Sequence, residues 1–251
     1  MTDGSVAHGA SEIRVELRAC PRPHELASVE LGLHAVHVWQ ASQDLFTAEM
    51  ANLSAILSPD ERHRKARFRF EKDQSQFTIA RGLLRTLLGS YLGCPPNTIS
   101  FSFSDKGKPS LARPAGSDIH FNVAHSGGLI LLAFSRTRRI GIDVEKIRHD
   151  FAVDEIAERF FSEAERTCLR QWPATERHEA FFRCWTRKEA YIKATGDGLS
   201  LPLSQFDVSL TANDPARLLA TRPIATEADH WSMHNIEVVA GYAAALVVER
   251  K

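Results

Sequence analysis

Cysteine is scarce in this 251-residue chain, which has only Cys20, Cys94, Cys168 and Cys184. None forms a C-x-x-C pair, and no pair of them flanks a His-x-x-x-His. That argues against a disulfide framework and a zinc site and leads us to expect a reducing compartment, the cytoplasm. An excess of charge of either sign is also missing: bases and acids number 31 each. Such a balance gives no support for nucleic-acid binding or for attraction to acidic membranes. No apolar run approaches bilayer length. The polar N-terminus, with Asp3 and Glu12 early, lacks the apolar segment of a signal peptide. The dinucleotide fingerprint, the Walker A loop and the nucleophile elbow are absent as well. Any phosphate chemistry must then rest on local clusters.

What is present is a chain 43% hydrophobic and 25% charged, enough to bury one large core or two lobes. Residues 1–30 read as a tail with a short strand near Val15–Leu17. Residues 31–138 and 139–251 then show the same order of elements, strand–helix–helix–strand–strand–strand. In the first half, Val36–Trp39 alternates as a strand. Ser58-Pro59 opens a basic helix to about Phe70, and a second helix runs from about Asp73 to Leu92, where Gly93 fits a C-terminal stop. Strands follow at Ile99–Phe103, Ile119–Val123 and Leu129–Ser135. The second half has a strand at Ile140–Glu145 and helices at Val153–Arg170, breaking near Phe161-Ser162, and Thr175–Thr195. Strands at Phe206–Leu210, Trp231–Val238 and Tyr242–Glu249 close it. No residue-level repeat is evident. The expectation is an α+β fold of two pseudo-symmetric lobes, each a small, largely antiparallel sheet packed with helices, with a ligand cleft between them.

Three acids stand out. In the strand Ile140–Glu145, Ile140, Ile142 and Val144 point one way, and Gly141, Asp143 and Glu145 the other. Two carboxylates roughly 7 Å apart on one face suit a hard cation such as Mg²⁺, although a solvated edge face gives the same pattern. In the last long helix, Phe181, Phe182, Trp185 and Ile192 form a stripe, and Glu189 falls within it. A half-buried carboxylate is costly without a cation or metal partner. An exposed Glu189–Lys193 pair would explain the spacing but not the apolar neighbours. Glu165 completes a capping box with Ser162, which is a structural role.

The basic residues give weaker signals. Arg64 and Arg67 share one face of the first helix and suit a phosphate clamp, and Arg81 and Arg85 follow on the second. Gly107-Lys108-Pro109 is a loop with a rigid end. Asn122-Val123-Ala124-His125-Ser126-Gly127-Gly128 leaves a strand through small and polar residues, where His125 and backbone N–H groups suit a phosphate or form an ordinary turn.

Taken in order, Gly107-Lys108-Pro109, Phe121–Ser126, Gly141–Glu145, Phe160–Glu165 and Trp185–Ala190 with Lys193 and Gly196 resemble the 4′-phosphopantetheinyl transferases of the two-lobed Sfp type. The resemblance implies transfer of the phosphopantetheine arm of coenzyme A to a serine of an apo acyl or peptidyl carrier protein, a holo-acyl-carrier-protein synthase activity that releases adenosine 3′,5′-bisphosphate. It implies Mg²⁺ on Asp143, Glu145 and Glu189, and Lys193 on the pyrophosphate. Arg64, Arg67, Arg81, Lys108 and His125 would hold the nucleotide, and Gly107 and Pro109 would shape the adenine loop. Glu189 is the favoured general base and Glu165 the competitor. Two lobes in one chain suggest a monomer; the client, whether fatty-acid, polyketide or nonribosomal-peptide machinery, stays open. The family usually carries serine where this chain has Ala124. That departure is the one support for a different function, a non-catalytic module that binds coenzyme A or a carrier protein. A Mg²⁺-dependent phosphohydrolase of coenzyme A or a related nucleotide is a third.

Overall fold

The computed structural model describes residues 13–26, 28–211 and 215–251. Residues 1–12 of the expected tail lie outside the described residues. The chain opens with strand β1 (Arg14–Ala19), which pairs in parallel with β2 (Ala35–Ser42). Helices α1 (Met50–Ala55), α2 (Pro59–Ala66) and α3 (Glu71–Leu92) follow. Strands β3 (Ser100–Phe103), β4 (Pro109–Arg113), β5 (Ile119–Ser126) and β6 (Leu129–Arg136) complete the first half. The second half repeats the plan with β7 (Ile140–Lys146), then α4 (Val153–Phe160), α5 (Glu163–Gln171) and α6 (Ala174–Thr195). It ends with β8 (Phe206–Val208), β9 (Leu218–Thr221), β10 (Trp231–Asn235) and β11 (Tyr242–Glu249).

One strand, three helices and four strands therefore occur twice. Sequence periodicity anticipated two helices and three strands per half. It passed over α1, β4 and β9, which are four to six residues long, too short to show a clear period. It did find the break between α4 and α5 and the left-handed Gly93 that ends α3 at φ 62°.

Strands β1-β2-β6-β5 form one sheet and β10-β11-β7 another. Side-chain alternation sends Trp39, Ile130, Leu132 and Phe134 toward α3, where they pack with Ile79, Leu83 and Leu87. The opposite parity, Val36, Val38, Leu131 and Ala133, meets Ile140, Ile142, Val144, Leu246 and Val248 of the second sheet. The far face of that second sheet, with Ala245 and Val247, carries α6. The layers thus run α3, sheet, sheet, α6, with an apolar seam in the middle.

The halves also repeat at residue level. Ser58 and Glu61 form a capping box at the start of α2, and Ser162 and Glu165 form one at the start of α5. Each glutamate then reaches a buried cation on the following long helix. Glu61 meets Arg85 at 2.6 Å, and Glu165 meets Lys188 at 2.7 Å. Each cation also donates to two carbonyls beyond its helix, Pro96 and Ile99 for Arg85, Leu203 and Phe206 for Lys188. Two buried charges are tolerated because every partner is supplied.

Gly141 sets the distance between β7 and α6. A Cβ built on it would lie 2.1 Å from the Ala190 carbonyl oxygen and 2.3 Å from the Ala194 nitrogen. These are backbone atoms that no rotamer change can move aside. Gly141→Ala is therefore expected to destabilise the fold at the upper end of the roughly 1–3 kcal/mol typical of overpacking. Chemical denaturation followed by circular dichroism measures this; a change below about 0.5 kcal/mol would show that α6 is free to withdraw.

Candidate active site

The contact at Gly141 places the acidic face of β7 under α6. Asp143, one alternation further on, is 4% exposed, and its Oδ1 accepts a 2.6 Å hydrogen bond from Lys193 Nζ. Its other oxygen, Oδ2, is buried and has no hydrogen-bond partner. Burial pushes the Asp143 carboxyl up to about 7 despite the Lys193 ammonium, and the charges of Glu145 and Glu189 add to the rise. Burial likewise raises the pKa of half-buried Glu189, against the opposing pull of Lys193 and with help from Glu145. Glu145 Oε2 accepts a 2.7 Å hydrogen bond from Ser126 Oγ. The structure thus brings together the three acids and Lys193 that the strand and helix patterns singled out, drawn from β7 and α6.

These residues suit a hard divalent cation. All three are oxygen donors, and the orphaned, buried Asp143 Oδ2 has a lone pair with nothing to accept. Among the described residues no three His, Cys, Asp or Glu side chains already enclose one point. A Mg²⁺ ion does not need such a cage, because it keeps several waters and is commonly bound through one or two carboxylates plus substrate phosphates.

On the first-lobe side, His125 lies on β5 with an exposed side chain. Partial desolvation lowers its imidazole pKa, and the nearby Lys193 charge lowers it further. Arg64 sits over the Phe77 ring at 5.7 Å and lines a cavity of about 320 Å³ with Phe101, Phe103, Ser58 and Asp60. Arg64 and Arg67 border one surface recess, as their helical spacing predicts. Gly107 turns the β3–β4 hairpin at φ 80°, a conformation that favours glycine, and Pro109 opens β4.

Three of the residues singled out in the sequence have partners within the fold. Lys108 turns away from solvent into the fold. Its ammonium donates to the carbonyls of Ile140, Lys193 and Ala194, clamping the β3–β4 hairpin onto the C-terminal end of α6. The negative end of the helix dipole favours a cation there, and burial pulls the Lys108 pKa down to about 8. Arg81 pairs with Glu61 at 2.6 Å and lies over Phe101 at 4.4 Å, and it lines the same cavity as Arg64. Glu165, the second candidate base, is 2% exposed with both oxygens taken, by Ser162 N and Lys188 Nζ on one side and Val208 N on the other. A carboxylate so satisfied is a fold element rather than a proton acceptor. Ala124, which stands where the family usually carries serine, is 4% exposed and packs in the apolar seam.

Sequence reasoning missed Ser126 and Asn122. Their signal was parity: both share the β5 face that meets β7.

The description "4'-phosphopantetheinyl transferase superfamily" matches residues 139–247, and "4'-phosphopantetheinyl transferase, N-terminal" matches residues 37–137. The 4′-phosphopantetheinyl transferase HetI of Nostoc is 41% identical over 199 residues, 79% of this chain and 82% of its own. This chain belongs to the 4′-phosphopantetheinyl transferase family. The transferase Sfp of Bacillus subtilis is 35% identical over 162 residues, 64% of this chain and 70% of its own, so the membership falls in the Sfp type. A Thermotoga maritima holo-[acyl-carrier-protein] synthase structure overlaps 45% of this chain and 62% of its own, at 25% identity and TM-score 0.37.

The raised Asp143 pKa links stability to pH. A carboxyl whose folded pKa, about 7, exceeds its ordinary value of 3.8 favours the fold at low pH. That contribution is lost as pH rises from about 4 to about 7. Without divalent cations, the melting temperature is expected to carry this falling component across that window. In Asp143→Asn the component should be absent. Thermal melts of both proteins across the range test it, and identical pH profiles would show that Asp143 ionises normally.

Proposed function

We propose that this chain transfers the 4′-phosphopantetheine arm of coenzyme A to the hydroxyl of a serine on an apo acyl or peptidyl carrier protein, releasing adenosine 3′,5′-bisphosphate. The observation that carries the reading is the meeting of Asp143, Glu189 and Lys193 between β7 and α6, with an unpartnered carboxylate oxygen on Asp143. The membership of this chain in the 4′-phosphopantetheinyl transferase family supports the same reading.

In the reaction the serine Oγ forms a bond to the phosphorus that carries pantetheine. The bond from that phosphorus to the bridging pyrophosphate oxygen breaks, and the electron pair leaves with the nucleotide. The serine proton passes to Glu189, directly or through water. A carboxylate whose pKa is raised by burial is better matched to that transfer than an ordinary one. Lys193 balances the negative charge that builds on the leaving phosphate. Asp143, Glu145 and Glu189 would hold Mg²⁺, which would supply Lewis-acid neutralisation of the pyrophosphate. His125, Arg64, Arg67 and Arg81 are the first-lobe groups for the nucleotide, while the Lys108 ammonium donates to backbone carbonyls. The two lobes lie in one chain, which supports a monomer as the working unit, and four free cysteines suit a reducing cytoplasm.

Ala124, the one sequence feature behind the non-catalytic module, packs in the apolar seam, and no separate observation favours that reading. The phosphohydrolase reading has no separate observation in its favour and is an outcome of the same experiment. Incubated with coenzyme A, Mg²⁺ and a panel of apo carriers, the protein is expected to add the mass of one phosphopantetheine to at least one of them. Nucleotide release without a carrier would favour hydrolysis, and no reaction with any carrier would count against transfer. Glu189→Gln is expected to lower kcat by about 10²–10⁴-fold if the group is the base. A loss confined to KM would assign it to binding instead.

A further inference from the structure

Strands β5 and β7 run side by side in parallel at the seam between the lobes. Asn122 Oδ1 accepts from Ile142 N at 2.8 Å, and four residues on, Ser126 Oγ accepts from Lys146 N at 3.1 Å. Two side chains of β5 thus take the place of carbonyl acceptors in a ladder. Between them Ala124 packs against the apolar seam. At the end of this line the Ser126 hydroxyl has its proton left to give, and it donates to Glu145 Oε2 at 2.7 Å. One hydroxyl therefore ties the β7 backbone and a β7 carboxylate to the first lobe.

The turn after Ser126 is built to hold that position. Gly127 has φ 54°, and a Cβ there would lie 2.7 Å from Lys146 Cδ and 2.9 Å from the Tyr242 hydroxyl. The Tyr242 hydroxyl donates to the Gly127 carbonyl. The same strand end carries His125, whose imidazole senses the Lys193 charge. Nucleotide-side and cation-side groups are thus set by one short segment.

We infer that Ser126 is a positioning residue for Glu145: its hydroxyl, fixed by the Lys146 N–H, selects the carboxylate orientation that receives a divalent cation. The inference rests on the reading of Asp143, Glu145 and Glu189 as a cation site. Ser126 belongs to one lobe and Glu145 to the other, so this hydrogen bond makes cation affinity depend on how the lobes are docked. Outer hydrogen-bond partners of metal-binding carboxylates commonly change affinity about 10–100-fold when removed.

The test is a titration of Mn²⁺ into the full-length protein with coenzyme A present, read by electron paramagnetic resonance and calorimetry. Ser126→Ala is expected to weaken Mn²⁺ binding about tenfold, toward the lower end of that range. Ser126→Thr, which keeps the hydroxyl, should bind as the unaltered protein does. Tyr242→Phe removes the neighbouring tie without touching Glu145 and should also leave the affinity unchanged. Ser126→Cys, close in size and a weaker hydrogen-bonding group, should fall in between; it carries the test if the alanine variant does not fold. Unchanged binding in both the alanine and cysteine variants overturns the proposal. Equal losses in Ser126→Ala and Tyr242→Phe also overturn it, since they would mean that seam rigidity alone matters. If the unaltered protein binds no Mn²⁺, the cation site itself is refuted and the proposal falls with it. That result is distinct from a site that binds the ion and ignores Ser126.

Discussion

Helix α6 lies directly on β7 because residue 141 has no side chain. A strand face of β-branched or larger residues would hold the helix several ångströms further away. At the observed separation, Ala190 and Ala194 touch the strand backbone around Gly141. Residues one position before each of them, Glu189 and Lys193, then stand beside Asp143 and Glu145. The alanines and the glycine are as much a part of the site as the charged groups, since they set where those groups can be.

Burial changes the chemistry of what it brings together. Water is largely excluded around Asp143, so its charge interacts strongly with Lys193 and is expensive to hold alone. The same environment would strengthen the attraction of the acids for a cation and of Lys193 for a phosphate. The surrounding fold supports this with ion pairs whose partners are complete. Glu165 with Lys188 and Glu61 with Arg85 tie each long helix to the short helix before it and to the chain after it. Lys108 ties the first lobe to the end of α6. Glu61 and Glu165 have partners on both carboxylate oxygens, whereas Asp143 retains an oxygen with none.

Much of the site was legible because local periodicity carries it. Alternation in Ile140–Glu145 separates an apolar face from Gly141, Asp143 and Glu145, and the structure uses both faces as that pattern implies. The helical wheel puts Glu189 among apolar neighbours, and Glu189 is half-buried. Cations were harder to read. A lysine in a Gly-Lys-Pro loop and an arginine on a basic helix look like phosphate ligands until their partners are known. The partners of Lys108 lie 32 to 86 residues away, and that of Arg81 lies 20 away.

The sequence by itself determined the two-lobed plan, the acidic face of β7 and the acid on α6, because each follows from a side-chain period within one element. Only the tertiary structure decided which charges are free for chemistry. It tied Lys108, Lys188 and Glu165 to partners in the fold, set Arg81 against Glu61 at the cavity it shares with Arg64, turned Ala124 into the seam and gave Ser126 to Glu145. Whether an ionic group is spent or available depends on what distant parts of the chain bring within about 3 Å of it, and no local pattern records that distance.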